Sequence, residues 1–393
     1  MLSDASAAVV RATLPAVGAA LDEISSRLYS RLFADHPELS RDLFNRANQT
    51  SGVQRQALAG AIAAFAGALL DHPDRRPDAL LSRIAHKHAS LGISPGQYRL
   101  VHTHLLGAVA EVLGDAVTEE VAAAWNEVYW LMANGLVAIE RRLYAERGVL
   151  MGDTWRPWTV TGRVQETPDV TTFALAPADS APAPAFRAGQ YVSVRVELPD
   201  GARQTRQYSL SRATTGCPRR YITVKRVDGE VSAHLHDRIH PGATVEVSAP
   251  YGDVVIQDTG VPLLLASAGI GCTPMVAMLE ELGANGHTGP VTVVHADRSP
   301  TTHALRADHL ALAGKLPAAQ TRFWYEHGPA EAPGEALGRA DLTDIPLAPG
   351  LTAYLCGPLP FMRAVRDQLL ARGVPADRVH YEVFGPDLWL ARG

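Results

Sequence analysis

Leu80-Leu81-Ser82-Arg83-Ile84-Ala85-His86-Lys87-His88 reads as one short helix that carries two histidines. Leu81, Ile84 and His88 fall at i, i+3 and i+7, on one apolar stripe, and His86 falls off it. The pattern aims one imidazole, His88, into a hydrophobic interior. A single buried histidine is ordinarily a core residue that hydrogen-bonds a neighbour. Whether His88 is more than that depends on the chain around it.

Residues 1–146 read as helix throughout, rich in alanine and leucine with apolar residues at helical spacing. Four more polar residues sit on stripes that should be apolar. Tyr29 lies one turn from Leu32 and Phe33 in a helix expected over Leu21–Phe33. Gln54 opens a helix whose stripe runs through Leu58, Ile62, Phe65 and Leu69. Tyr98 begins the stripe of Val101, Leu105 and Val109, and Glu140 intrudes among Leu136 and Leu143. A buried carboxylate is costly unless paired. Four such residues together with His88 point to a cavity with polar decoration, fit for a prosthetic group.

From Trp155 the texture changes. Alternating runs such as Tyr191-Val192-Ser193-Val194-Arg195-Val196, separated by Gly, Pro and Asp turns, predict an antiparallel β-barrel. From about residue 260, buried-type strands such as Val291-Thr292-Val293-Val294 alternate with helices, the sign of an α/β domain with a parallel sheet. There Leu264-Leu265-Ala266-Ser267-Ala268 leads into Gly269-Ile270-Gly271-Cys272-Thr273-Pro274, a strand, a glycine loop and a helix start, which suits a nucleotide pyrophosphate. The expected division is a helical domain over 1–146, a linker over 147–156, a barrel over 157–259 and an α/β domain over 260–393.

The bulk numbers exclude several classes. A net charge of −5 supplies no basic field for nucleic acid. The three cysteines, Cys217, Cys272 and Cys356, are far apart and in no metal-ligand spacing, which argues against a disulfide framework or a zinc site and suits a reducing compartment. No apolar stretch is long enough to span a bilayer, and the first residues lack the basic-then-apolar pattern of a signal peptide. The expectation is a cytoplasmic protein without stable membrane association, and a monomer.

The helical segment resembles the globin domain of flavohaemoglobins. The resemblance rests on Leu43-Phe44-Asn45 followed by Asn48-Gln49, on Gln54-Arg55-Gln56-Ala57-Leu58, on Ile84–His88, and on Gln97-Tyr98. It implies one haem b with His88 as the proximal iron ligand and Phe44 packed on the porphyrin. It further implies Tyr29 as the distal hydroxyl, Gln54 and Leu58 closing the distal pocket, and Tyr98 and Glu140 as partners of His88. Physical chemistry agrees with those roles. A ligating imidazole donates its other N–H to an acceptor, and a carboxylate there pushes electron density toward iron. The resemblance also puts Lys87 at the edge facing the reductase and Glu382 between flavin and haem, where both tune the haem potential.

Behind the helices the chain resembles the ferredoxin–NADP reductase superfamily. Arg206-Gln207-Tyr208-Ser209 is similar to its Arg-x-Tyr-Ser signature, in the context of Gly189-Gln190-Tyr191 and of Gly229-Glu230-Val231-Ser232. One FAD is implied. Arg206 can grip its pyrophosphate, Tyr208 can face the ring system and Ser209 can bond near the reactive nitrogen, while the Val231 and Ser232 amides can receive phosphate at a helix N-terminus. The tail Val383-Phe384-Gly385-Pro386 is similar to the family's flavin cover. The loop Gly269–Pro274 matches the superfamily's Gly-x-Gly-x-Thr-Pro form, and Cys356 with Gly357 would lie beside the nicotinamide. NADH and NADPH both remain open as the donor, because Asp297 suits a ribose hydroxyl whereas Arg298 and Ser299 suit a 2′-phosphate.

The implied activity is nitric oxide dioxygenation. NAD(P)H reduces FAD, FAD reduces haem iron, and nitric oxide with O2 becomes nitrate. Three alternatives stay open: a general haem and flavin reductase acting on hydroperoxides, quinones or ferric compounds, an O2 or NO sensor, and a lipid-binding haemoprotein.

Overall fold

The computed structural model describes residues 1–46, 49, 52–179, 181–213, 218–329 and 332–385. By compactness the chain divides into two units, one of Met1–Trp155 with Arg195–Arg206, the other of Arg156–Val194 with Gln207–Gly385.

The first unit is helical. Helices α1 (Asp4–Asp35), α2 (Pro37–Asp42), α3 (Val53–Asp71), α4 (Asp78–Leu91), α5 (Pro95–Leu113) and α6 (Glu119–Glu146) follow one another. Local chemistry sets their starts. Ser3 caps α1, Thr118 caps α6, and Ser94 with Gln97 forms a capping box on α5. Helix α1 runs well beyond the expected Leu21–Phe33 and holds Pro15 inside it. Ile24, Leu28, Leu105 and Ala108 form a core between α1 and α5, and Leu58 packs against it.

The second texture is a six-stranded sheet in the order β4-β3-β6-β1-β2-β5. Its strands are β1 (Trp155–Thr167), β2 (Val170–Pro177), β3 (Tyr191–Glu197), β4 (Arg203–Ser209), β5 (Arg220–Lys225) and β6 (Thr244–Ser248). Leu210, just past β4, bridges Ile222 on β5, so the two edge strands meet and the sheet curls toward closure. Strand β1 begins at Trp155, inside the stretch expected to be linker. Helix α7 (Glu230–Arg238) lies between β5 and β6.

The third is a parallel sheet in the order β10-β9-β8-β7-β11-β12. It comprises β7 (Leu263–Ala268), β8 (Val291–Asp297), β9 (Ala319–Tyr325), β10 (Glu335–Leu337), β11 (Thr352–Cys356) and β12 (Val379–Glu382), with α8 (Cys272–Ala284), α9 (Arg306–Ala313) and α10 (Leu359–Ala371). All six residues of β7 are buried, as expected of a central parallel strand. The strand order runs away from β7 in both directions, so its carboxyl end is the topological switch point where such sheets bind ligands. No helix among the described residues is long and apolar enough to cross a membrane.

Candidate functional site

The helical unit brings its expected residues together in two groups. In the first, His88 Nδ1 lies 2.8 Å from Tyr98 Oη and 3.0 Å from Glu140 Oε1. Tyr98 donates its hydroxyl to the same Glu140 oxygen in a very short bond. Glu140 is fully buried, and its Oε2 has no hydrogen-bond partner among the described residues. Burial, reinforced by the carboxylate of Glu140, holds the Tyr98 phenol well above its ordinary pKa, so it stays a donor.

Small residues make this contact possible. Leu81, Ala85 and Ala89 are completely buried and form an i, i+4, i+8 row. Gly135 on α6 receives Leu81, since a Cβ there would stand 2.7 Å from Leu81 Cδ1. The two helices thus come close enough for an imidazole on α4 to reach a carboxylate on α6. This corrects the sequence expectation in one respect. The buried stripe is Leu81–Ala85–Ala89, and Ile84 and His88 flank it, with 31% of the His88 side chain exposed. The ring therefore turns one edge inward, to Tyr98 and Glu140. Its Nε2 has no partner among the described residues. That donor set fits a haem iron: an imidazole, oriented by a carboxylate and a phenol, with its second nitrogen available. Lys87 is half-buried beside it.

The second group is distal in sequence. The Tyr29 ring stacks on Phe33 at 5.7 Å and meets Phe44 edge-on at 5.6 Å, and Phe33 meets Phe44 at 5.2 Å. Tyr29 hydrogen-bonds Gln54 and is nearly buried, and that burial pushes its pKa up to about 12. Phe44 is held through its backbone, because Gln204 Nε2 donates to its carbonyl at 3.2 Å. Sequence reasoning missed Phe33 as a ring partner, although its i+4 spacing from Tyr29 was visible. It also missed Tyr129, whose hydroxyl donates to the Tyr98 carbonyl at 2.6 Å, and Gln204, which no local pattern signals.

On the barrel, strand periodicity puts Arg206 and Tyr208 on one face of β4 and Gln207 and Ser209 on the other, with Ser209 the last residue of the strand. Gln207 is engaged with Ser193 Oγ at 3.0 Å, so its side chain serves the sheet. Ser209 Oγ is buried with no partner among the described residues, an orphaned polar atom that suits a flavin edge. Tyr191 exchanges both backbone bonds with Tyr251. At α7, the Ser232 hydroxyl is tied to the turn through Val227, and the first intrahelical acceptor serves Ala233 N, which leaves the Val231 and Ser232 amides at the helix mouth.

At the switch point, Gly269 opens a tight turn over Gly269–Gly271 with φ +53°, and α8 begins at Cys272. Thr273 closes the turn onto the Ile270 carbonyl, and Pro274 stands in the first turn of the helix. A Cβ on Gly271 would come within 2.3 Å of the Cys356 carbonyl, so only glycine lets this loop sit against the end of β11, where Gly357 follows. The result is a cradle of backbone amides at a helix N-terminus, which fits a dinucleotide pyrophosphate. Cys356 is wholly buried, and burial, aided by Glu382 and Cys272, pushes its thiol well up, so it is no nucleophile. Asp297 turns inward: Oδ1 accepts from Arg298 N and Thr302 Oγ1, both at 2.7 Å. Glu382 ends β12 in register with Cys356 and is buried, whereas Phe384 is 45% exposed. Val383 and Gly385 adjoin it, and Pro386, Asn48 and Cys217 lie outside the described residues.

Comparison with known proteins covers all three textures. Family models match for Globin over residues 26–136, for the Oxidoreductase FAD-binding domain over 157–256 and for the Oxidoreductase NAD-binding domain over 265–367. The chain is 42% identical over 403 residues to a flavohemoprotein of Bordetella pertussis, covering 98% of this chain and 99% of that one. Its structure is similar to that of a flavohemoglobin from Malassezia yamatoensis with bound FAD and heme, with a TM-score of 0.91, 35% identity, and coverage of 98% of this chain and 100% of that one. Residues of the reductase half are similar to the FAD/NAD-binding domain of a nitric oxide dioxygenase from Vibrio cholerae, with a TM-score of 0.56 and 35% identity over 59% of this chain and 100% of that one.

Proposed function

This chain belongs to the flavohemoprotein family, and from that premise we propose that it is an NAD(P)H- and O2-dependent nitric oxide dioxygenase. The observation that carries the proposal is the Glu140–Tyr98–His88 relay, with its carboxylate and phenol buried, in a chain that also has the nucleotide cradle and the flavin strand. A passive oxygen store needs neither a carboxylate behind its ligand nor a reductase.

When bound, haem supplies an iron that exchanges single electrons and takes a diatomic ligand, and FAD converts a two-electron donor into single electrons. The residues do the rest. His88 would hold the iron through Nε2. Glu140, desolvated and anchored by Tyr98, accepts the Nδ1 proton of His88 and so orients the ring with Nε2 free. Tyr29, kept protonated by burial and oriented by Gln54, would offer its hydroxyl as a hydrogen-bond donor to a small ligand in the distal pocket. Phe44 and Leu58 supply apolar walls that exclude water. Arg206, Tyr208, Ser209 and the Val231 and Ser232 amides would hold the flavin, under Val383–Pro386. The Gly269–Pro274 amides would take the pyrophosphate of NAD(P)H, with Cys356 and Gly357 beside the nicotinamide. Lys87 and Glu382 would shift the haem potential by their charge. The matched family ranges fall within a division at 1–146, 157–259 and 260–393. Free buried thiols at Cys272 and Cys356 support a cytoplasmic setting.

Electron counting fixes the stoichiometry. Conversion of nitric oxide to nitrate releases three electrons, and dioxygen takes up four. Each turnover therefore draws one electron from outside, and each NAD(P)H serves two nitric oxides. The test is NADH and NADPH consumption in air, with and without nitric oxide, alongside nitrate. Two nitrates per NAD(P)H are expected, and no nitric-oxide-dependent nitrate would overturn the proposal.

A further inference from the structure

One buried side chain of the barrel sheet is committed to the helical unit. Strands β3 and β4 are neighbours in that sheet, yet Arg195–Arg206 belongs to the same compact unit as the helices. The turn between the strands is closed by Gly201 N, which donates to the Leu198 carbonyl at 2.9 Å, and by Leu198 N, which donates to the Ala202 carbonyl at 2.8 Å. This hairpin grips the end of α2 and the chain after it, Arg41–Arg46. Arg46 Nη1 donates to Asp200 Oδ2 at 2.7 Å, and Arg203 N donates to Asp42 Oδ1 at 3.1 Å. The first is an ion pair open to solvent, and such pairs contribute little.

Gln204 is different. It is 1% exposed, and its amide bonds the backbone of that segment at three points. Nε2 donates to the Arg41 carbonyl at 2.9 Å and to the Phe44 carbonyl at 3.2 Å, while Oε1 accepts from Arg46 N at 3.3 Å. Helix α2 has six residues, so its last carbonyls lack donors within the helix, and Gln204 supplies one to Arg41. A neutral amide is suited to the task because it carries two donor hydrogens and an acceptor oxygen on one group. The turn so held carries Phe44. Its ring meets Tyr29 edge-on at 5.6 Å and Phe33 at 5.2 Å, contacts that fix one ring against another. A shift of the Phe44 backbone therefore passes to the Tyr29 ring and its hydroxyl. Along β4, Gln204 and Arg206 share a face by strand periodicity.

We propose that Gln204 is a positioning residue of the haem pocket. From the flavin strand it sets Phe44, and through Phe44 it sets the aim of the Tyr29 hydroxyl. The strand whose Arg206 would grip the flavin pyrophosphate thus also fixes the distal wall. This inference rests on haem lying between the His88 and Tyr29 groups, as proposed above.

Carbon monoxide bound to the reduced, full-length holoprotein reads the Tyr29 hydroxyl, because a donor near the ligand oxygen lowers the C–O stretch. Gln204→Met keeps the length of the side chain and removes all three bonds. Its C–O band should move from the parent position toward that of Tyr29→Phe, and its oxygen off-rate should rise by about threefold, less than for Tyr29→Phe. Introduced into Tyr29→Phe, the same change should move neither quantity further, since it acts through that hydroxyl. Asp200→Asn, which weakens the solvent-open ion pair of the same hairpin, should leave the parent band in place. Normal flavin content, and flavin reduction by NAD(P)H, show an intact reductase in each variant. If Gln204→Met yields no haem-loaded protein, Gln204→Glu is measured in its place. It keeps the acceptor for Arg46 N, loses both donations, and should shift the band in the same direction. A parent band and off-rate in the folded Gln204 variant overturn the proposal. So does an equal shift in Asp200→Asn, or a shift that the Gln204 change adds to Tyr29→Phe. A parent protein with no haem Soret band overturns the haem reading itself, and this inference with it.

Discussion

Tyr98→Phe removes a single oxygen and two hydrogen bonds with it. The phenol donates to Glu140 Oε1 and lies 2.8 Å from His88 Nδ1. Without it, Glu140 keeps only His88, because its Oε2 already has no partner among the described residues. Hydrogen bonds to a charged group contribute about 1.5–3 kcal/mol, and the ring itself is retained, so no cavity term is added. About 2 kcal/mol of the stability of the helical domain should be lost, which for a domain of this size lowers its thermal midpoint by about 4–8 °C. Calorimetry of the haem-loaded protein, in which that domain melts with its haem band, measures the shift. The same variant should lower the iron–histidine stretching frequency in resonance Raman, since a less firmly held carboxylate gives the imidazole less anionic character. A midpoint within about 1 °C of the parent and an unmoved stretch would refute the relay together.

Tyr29→Phe should raise the oxygen off-rate by about tenfold or more, the worth of one hydrogen bond to a partly charged oxygen, and an unchanged off-rate removes Tyr29 from the site. Tyr29 also sets an alkaline limit. Its phenol pKa is raised from 10.0 to about 12 in the fold, so the unfolded chain loses this proton first. Its contribution is intact below pH 10 and falls by about 2–3 kcal/mol as pH rises to 12. Denaturant titrations of Tyr29→Phe should show a shallower alkaline loss than the parent; parallel curves contradict this. Gly271→Ala would drive a Cβ into the Cys356 carbonyl at a cost of about 1–3 kcal/mol, so KM for NAD(P)H should rise while flavin content stays normal. An unchanged KM argues against the cradle. Ser209→Ala should weaken FAD retention by about tenfold without destabilising the flavin-free protein, because its hydroxyl has no partner there to lose. Equal retention in parent and variant excludes Ser209 from the flavin site.

The pattern in the sequence carried the three textures and most of the site for identifiable reasons. Polar residues on apolar helical stripes are improbable without a shared purpose, and Tyr29, Gln54, Tyr98, Glu140 and His88 do converge in two groups. Alternation and glycine spacing likewise located β3 and the Gly269–Gly271 turn, whereas Arg206–Ser209 on β4 was marked by the resemblance to the reductase signature. What stayed hidden depends on packing between elements distant in the chain. The intimate contact of α4 with α6 rests on Ala85, Ala89 and Gly135, ordinary small residues whose joint effect appears only once the helices are docked. For that reason the buried row was assigned to Ile84 and His88 in place of Ala85 and Ala89. Tyr129 reaches Tyr98 across thirty-one residues of sequence, and Gln204 reaches Phe44 across one hundred and sixty.

The central claim is that electrons entering at Gly269–Pro274 reach iron held by His88 in the same chain. The direct measurement is the visible spectrum of the purified protein, without oxygen, before and after NADH or NADPH is added. A haem Soret band with overlying flavin absorption is expected at the start. After the donor is added, the flavin should bleach and the Soret band should move to its reduced position, and His88→Ala should keep the flavin change while losing the Soret band. Flavin that bleaches beneath an unmoved Soret band, or a normal haem spectrum in His88→Ala, contradicts the account.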